Sequence, residues 1–262
     1  MGATDGGAMK ITEHITALEA AGLALADAAA EAGPDAEVPT CPGWRIRDLL
    51  RHTAMVHRWA TAFVIEGHAS YQPGGGEPDL DGDELLAYYR EGHAALVGAL
   101  RAAPETLESW SFLPAPSPLA FWARRQAHET TVHRADAESA LTAGPGAVDP
   151  ALAVDGIDEL LLGFHGRDGS RVRTPEPRIL RVRATDTGDV WTVRLSATEP
   201  PRTERGGEDP EAERAAADVE FSGAADRLYL MLWNRLPADA VAVTGDDAVA
   251  RLWRESSGVT WK

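Results

Sequence analysis

Cysteine is nearly missing from this chain: Cys41 is the single one in 262 residues, so no disulfide can form within it and a disulfide-stapled miniprotein is excluded. A reducing compartment, the cytoplasm, is the expected location. Positive charge is also short, with 25 Lys and Arg against 41 Asp and Glu and a formal net charge of −16. A nonspecific grip on nucleic acid or on an anionic membrane would work against the protein's own field, so neither is an expected partner. Lysine is confined to Lys10 and Lys262, and the other basic residues are all arginine, which together with abundant Ala, Gly and Pro is the mark of high-GC codon usage. No apolar run approaches the ~20 residues that a membrane span requires. The segment Met1 to Lys10 has neither the basic nor the apolar region of a secretory signal. What remains is ordinary globular composition, 44% hydrophobic and 25% charged, in a length that suits one large domain or two ordinary ones.

The pattern divides near residue 145, giving an expected first domain over 1–147 and a second over 148–262. In the first, apolar periodicity supports four helices. Ile11, Ile15, Leu18, Gly22 and Leu25 recur at helical spacing, so helix one is expected over about 10–31, ended by Gly33-Pro34. Helix two covers about 45–66 through Ile46, Leu49, Leu50, Thr53, Val56, Trp59, Phe63 and Val64. A third pattern runs from Leu85 to Leu100 with Asp83 as its expected N-cap, and a fourth carries Trp122, Glu129, His133, Asp136 and Ala140 on one stripe. Gly144-Pro145-Gly146 closes this half. Four long helices joined by loops predict an all-α four-helix bundle, whose core is a usual place for a metal or cofactor.

The second half changes period. Ala151 to Phe164 reads as one more helix. Arg178 to Thr185 and Val190 to Ala197 alternate apolar and polar residues about Asp186-Thr187-Gly188-Asp189, which predicts a hairpin. Thr198 to Ala216 holds Pro200-Pro201, Gly206-Gly207 and many charges, including the acidic run Glu204 to Glu213, and is expected to be a mobile solvated loop. A strand at Val219 and Phe221, a helix through Leu228, Leu232 and Trp233, a strand at Val241 to Thr244 and a helix through Val249, Leu252 and Trp253 complete a small α+β domain.

The chemistry is concentrated where polar residues occupy apolar faces. Glu129 and His133 are i and i+4, so they share a face with Trp122, while Arg124, Arg125, His128, Arg134 and Glu138 are expected on the opposite sides. An unpaired buried carboxylate is costly, and a bound cation is one remedy. His52 sits on a stripe with Leu49, Val56 and Trp59, so two histidines and one carboxylate from two helices offer three ligands to a divalent metal with positions left open. Each part has an ordinary alternative: Glu-x-x-x-His pairs are common on helix surfaces. His128 and His133 are five apart and about 140° apart around the helix, which rules out the zincin pattern. Cys41 reads as a packed loop residue rather than a nucleophile, His57 and His93 as solvated or packed, and His14, His68 and His165 as standing in no constellation. Asp48 is either a partner that orients His52 or, more simply, a helix N-terminal charge. Arg235 can clamp a carboxylate or serve the C-terminal dipole of its helix.

The run Val38-Pro39-Thr40-Cys41-Pro42-Gly43-Trp44-Arg45-Ile46-Arg47-Asp48-Leu49-Leu50-Arg51-His52, with Arg125-Gln126-Ala127-His128-Glu129-Thr130-Thr131-Val132-His133-Arg134-Ala135-Asp136, resembles the mycothiol-dependent maleylpyruvate isomerase family. Phe221-Ser222-Gly223, Leu230-Met231-Leu232-Trp233-Asn234-Arg235 and Val243-Thr244-Gly245-Asp246 resemble its second domain, so the likeness covers nearly the whole chain. The resemblance implies a DinB-like metal-binding bundle followed by a sterol-carrier-like α+β domain. It implies Zn2+, or another divalent metal, on His52, Glu129 and His133, and mycothiol as thiol cofactor or co-substrate. His52 and Arg235 are then catalytic, Arg235 holding a substrate carboxylate. The long acidic loop from Thr198 to Ala216 departs from the pattern.

The implied reaction is reversible thiol addition. Positive charge on the metal lowers the pKa of a bound thiol, the thiolate adds to a cis-enoyl acid, the new single bond rotates, and elimination returns the trans alkene with the thiol regenerated. Stopping after addition or displacement gives a mycothiol S-transferase acting on small electrophiles instead. Two further readings stay open on the residues alone: a metal-dependent hydrolase with Asp136 as its base, and a non-catalytic binding protein with a structural metal.

Overall fold

Several helix starts in this chain are fixed by capping or first-turn side chains in the computed structural model, which describes residues 8–206 and 217–259. Contacts divide the chain into two units, Met1–Gly146 and Ala147–Lys262. In the first, α1 (Ile11–Ala32) begins where Glu13 accepts the Lys10 backbone N–H, and α2 (Ile46–Glu66) where Asp48 accepts that of Arg45. Asp48 is thus a helix-start charge. α3 (Gly82–Ala102) is capped by Asp81, which accepts from the Gly82 N–H; the expected cap, Asp83, lies inside the helix, because the glycine before it starts the turn. α4 (Pro118–Ser139) is capped by Ser117 with Pro118 in the first turn, where the missing N–H costs nothing.

The four helices form a bundle in which α4 packs against α1, α2 and α3. That position leaves α4 almost no solvent face. Arg125 and His128, expected outside, are buried together with Gln126, Thr130 and Thr131. Amphipathic periodicity cannot describe a helix surrounded on most sides. α2 departs from expectation too: its fully buried stripe runs through Leu49, Leu50, Thr53, Ala54, His57 and Ala60, so His52, Val56 and Trp59 lie at its half-buried edge. His57 and His93 are both packed inside; His57 Nε2 lies 2.9 Å from Thr130 Oγ1, and His93 Nε2 lies 3.1 Å from the Leu18 carbonyl. A methyl group at Gly22 would meet the His93 ring at 2.1 Å, so only glycine admits that ring.

In the second unit α5 (Pro150–Asp158) runs into a π-helical turn, Glu159–Phe164, rather than continuing as the single regular helix expected over 151–164. A five-stranded sheet follows in the order β3-β2-β1-β4-β5, with β1 Arg178–Ala184, β2 Val190–Leu195, β3 Arg202–Arg205, β4 Val219–Gly223 and β5 Ala242–Gly245. The expected hairpin is β1–β2. β1 and β4 pair in parallel and the other neighbours are antiparallel. The segment read as one loop from Thr198 contains β3, which pairs with β2; its remainder, 207–216, lies outside the described residues.

Alternation along the strands sorts the sheet into two faces. Leu180 and Val182 stand opposite Val193 and Trp191 on β2 and Val219 and Phe221 on β4, all buried, and α6 (Ala225–Leu232) packs on β1 and β4. The other face carries Arg181, Arg183, Thr192 and Glu220, with Arg183 Nε 3.3 Å from Glu220 Oε1. α7 (Asp247–Ser256) closes the unit by way of Trp253, whose indole N–H donates to the Leu232 carbonyl. Among the described residues no helix is long and apolar enough to cross a membrane.

Candidate metal centre

Three pieces of the helical unit converge on one spot: the loop from Ala36 to Ile46, the first half of α2, and the second half of α4. The loop folds back on itself. The Val38 N–H donates to the Trp44 carbonyl at 2.9 Å, the Ile46 N–H to that of Ala36 at 3.0 Å, and Gly43 takes the turn at φ +88°, a left-handed conformation open to glycine. Val38 anchors the loop in the core, while Cys41 and Trp44 pack partly buried against the same cluster. Cys41 is thus a packed loop residue. The fold-back delivers Thr40 and Trp44 to α4.

His52 Nε2 lies 3.6 Å from Glu129 Oε1, and His133 Nε2 lies 3.2 Å from the same oxygen. One donor atom from each of these three residues lies within 4.8 Å of the others. Residues far apart in sequence therefore turn two imidazole nitrogens and one carboxylate oxygen toward a common point.

The outward atoms are tied down. Glu129 Oε2 accepts from Arg125 Nη2 at 3.0 Å, with the guanidinium itself buried. His133 Nδ1 lies 2.8 Å from Asp136 Oδ2, and Asp136 Oδ1 accepts from the Thr40 hydroxyl at 2.5 Å. A chain from Thr40 through Asp136 to His133 thus fixes the imidazole plane and turns Nε2 inward. Trp44 stacks on His133 with an interplanar angle of 17° and a centroid distance of 6.4 Å, and its ring lies 5.2 Å from that of His52. These contacts wall one side of the cluster with indole.

The three groups satisfy one another electrostatically. Burial alone would raise the Glu129 pKa, yet hydrogen bonds from His133 and His52 and the charge of Arg125 hold it well below the ordinary carboxylate range. Burial likewise lowers the His133 pKa, and the hydrogen bonds to Asp136 and Glu129 outweigh it, bringing it to about 9. A carboxylate kept ionised in a buried place, facing two nitrogens, is a donor set that a divalent cation matches.

The other sequence candidates separate from this cluster. Asp136, weighed as a general base, is fully buried with both oxygens engaged, so it positions His133 and is not free to take a proton from water. His14 faces His128 edge-on at 6.0 Å, and His68 pairs with Glu66 at 3.0 Å. Arg235, in the α+β unit, donates from Nη1 to the Trp233 carbonyl at 2.8 Å, at the end of α6. Sequence reading missed Arg125, Thr40 and Trp44 as parts of the site. For Arg125 the spacing i, i+4 to Glu129 was the available signal.

A helical bundle with an inward His, Glu, His cluster, followed by a small α+β unit with a five-stranded sheet, defines the class: a two-domain protein whose helical part carries a cluster that could hold a metal ion. Residues 15–138 match the mycothiol maleylpyruvate isomerase N-terminal domain and residues 151–252 match the corresponding C-terminal domain, so the chain belongs to the mycothiol-dependent maleylpyruvate isomerase family. A solved structure of a mycothiol-dependent maleylpyruvate isomerase resembles this fold with a TM-score of 0.60 at 13% identity, over 90% of this chain and 93% of that one. A mutant form of such an isomerase matches with a TM-score of 0.59 at 14% identity, over the same shares of the two chains. No curated protein matches the chain.

Proposed function

We propose that this protein isomerises a small cis-enoyl acid of the maleylpyruvate type, with mycothiol as co-substrate and a divalent metal, zinc by preference, held by His52, Glu129 and His133. The carrying observation is the inward convergence of His52 Nε2, Glu129 Oε1 and His133 Nε2, with Arg125 and Asp136 binding the outward atoms of the latter two. Two imidazoles and one carboxylate leave a divalent cation with net positive charge and open positions, which suits chemistry better than a purely structural role. A metal held there supplies the charge that makes a thiol ionise at neutral pH.

The chain's own residues do the remaining work. Asp136 and Thr40 hold the His133 ring so that its inward nitrogen stays available, and Arg125 keeps Glu129 ionised and oriented. Trp44 covers two of the three side chains and keeps bulk water off that side. Arg235 is assigned to the substrate carboxylate, where its fixed positive charge would also steady the enolate formed on addition. The single cysteine and the absence of a candidate membrane-spanning helix among the described residues fit a cytoplasmic enzyme.

The test is elemental analysis of the purified full chain, paired with a calorimetric titration of mycothiol. About one zinc per chain with saturable thiol binding, followed by turnover of maleylpyruvate, is the expected result. Metal without thiol binding would overturn the thiol chemistry, and absence of metal would overturn the centre itself. Arg235→Gln should retain the metal and lose turnover by about 100-fold or more, the scale of one charge-stabilising group.

A further inference from the structure

A π-helical turn ends α5, and the residue that closes it is His165, whose N–H reaches the Leu160 carbonyl at 2.9 Å. Such widened turns recur at functional sites because they re-aim the side chains that follow. Here the chain turns back at once through Gly166 to Ser170. A methyl group at Gly166 would meet the Leu162 carbonyl oxygen at 2.6 Å, so the close return requires glycine. Behind the turn lies a cavity of about 130 Å³, lined by Phe164, His165, Arg167, Ser170, Arg171 and Gly258 among others.

Three observations describe what this cavity would hold. His165 is 3% exposed and its Nε2 is buried with no hydrogen-bond partner. Its Nδ1 lies 3.0 Å from Ser170 Oγ, which also accepts the Val172 N–H at 3.3 Å. Val172 takes one lone pair of the Ser170 oxygen, and the hydroxyl proton is placed to donate to Nδ1 in the tautomer that puts the ring proton on Nε2. Burial pushes the imidazole pKa down to about 4, so the ring offers an N–H without charge at neutral pH.

The charge comes from Arg167 and Arg171. Arg171 is steadied by donating from Nη2 to the Gly258 carbonyl at 3.1 Å, and a methyl group at Gly258 would already touch that nitrogen at 3.3 Å. Among the described residues, no aspartate or glutamate lines the cavity. Two guanidinium groups and a buried neutral donor, with no acid among the lining residues, suit an oxyanion and repel a metal cation. The volume is a few times the ~30 Å³ that a water molecule occupies in the liquid, which is the size of an anionic headgroup rather than of a whole cofactor.

We propose that this pocket, formed by His165, Arg167, Ser170 and Arg171, is a binding subsite for a small oxyanion, a phosphate or carboxylate group. All of these residues belong to the α+β unit, so the subsite stands whether or not the helical unit holds a metal.

The experiment is calorimetric titration of inorganic phosphate, and separately of acetate, into the full chain at constant ionic strength. It is repeated on Arg167→Gln, on Arg167→Gln with Arg171→Gln, and on His52→Ala. Expected are saturation at about one anion per chain, a loss of affinity of about tenfold in the single arginine variant and more in the double, and no change in His52→Ala. Arg167→Gln removes only an exposed side chain, so its unchanged thermal melt separates lost binding from lost folding. Saturation by phosphate alone would assign a phosphate ester, and saturation by acetate a carboxylate. Failure of both anions to bind, equal binding in the double arginine variant, or loss of binding in His52→Ala instead would each overturn the subsite.

Discussion

α4 of the helical unit and β1 of the α+β unit are both surrounded by their neighbours, yet they solve burial in opposite ways. β1 places Leu180 and Val182 on one face against buried apolar partners and collects Arg181 and Arg183 on the other, where Arg181 is itself buried beside Glu220. α4 buries Arg125, Gln126, His128, Glu129, Thr130, Thr131, His133 and Asp136 along one helix. A strand can sort polar from apolar by alternation, whereas a helix packed against three others must find partners for whatever it carries. The difference shows where free energy has been diverted from packing to chemistry: stability in the second unit rests on apolar area, while the polar interior of the first is held by a hydrogen-bonded network around a cluster of potential ligands.

That contrast can be broken most severely at the cluster. Glu129→Ala, His133→Ala and His52→Ala should each take bound metal from about one per chain to near none and abolish turnover, with far-UV circular dichroism little changed. Retained stoichiometric metal in all three would sink the centre. Next in size is the sheet: Phe221→Ala should cost about 3–5 kcal/mol in urea unfolding while leaving metal content alone, because its fully buried ring belongs to the apolar face of β4. Asp136→Asn should weaken metal binding by roughly 10–100-fold, the usual scale for a partner of a liganding histidine, as read by competition with a chelator.

The comparison is sharpened further through pH. Burial pushes His57 down to about 3 from an ordinary 6.5. Between those values the unfolded chain takes up a proton that the folded bundle refuses. Stability of the helical unit should therefore fall as pH drops from 6.5 toward 3, by at most about 1.4 kcal/mol per pH unit from this group, and should be indifferent to it above that range. Urea midpoints of the metal-free protein across this window check the slope, which His57→Gln should flatten.

Much of this architecture can be read from residue patterns, for reasons that differ by element. α1 to α3, the β1–β2 hairpin and α7 each keep a solvent face, so their periodicity survives. α4 does not, and the reading that placed Arg125 and His128 outside failed there, although Glu129 and His133 were correctly put inside. His52 was reached by a stripe that is itself one residue off: the buried stripe of α2 runs through Thr53 and His57, and His52 sits at its edge. The π turn and β3 were invisible because neither has a sequence period of its own, being set by packing and by pairing with β2. Thr40 and Trp44 act through a loop whose fold-back is made by backbone hydrogen bonds, which no side-chain pattern announces.

His52, Glu129 and His133 all precede Gly146, where the helical unit ends. During synthesis the whole cluster has therefore been made before the 116 residues of the α+β unit, Ala147–Lys262, are added. At ribosomal speeds of about 5–20 residues per second, that is roughly 6–23 s of lead time. Helices form far faster than this. The α+β unit, whose central parallel pair joins β1 to β4 across the β2–β3 excursion, cannot close its sheet until nearly all of its strands have emerged. The order of the two units along the chain thus lets the polar interior of the bundle assemble seconds before the sheet exists.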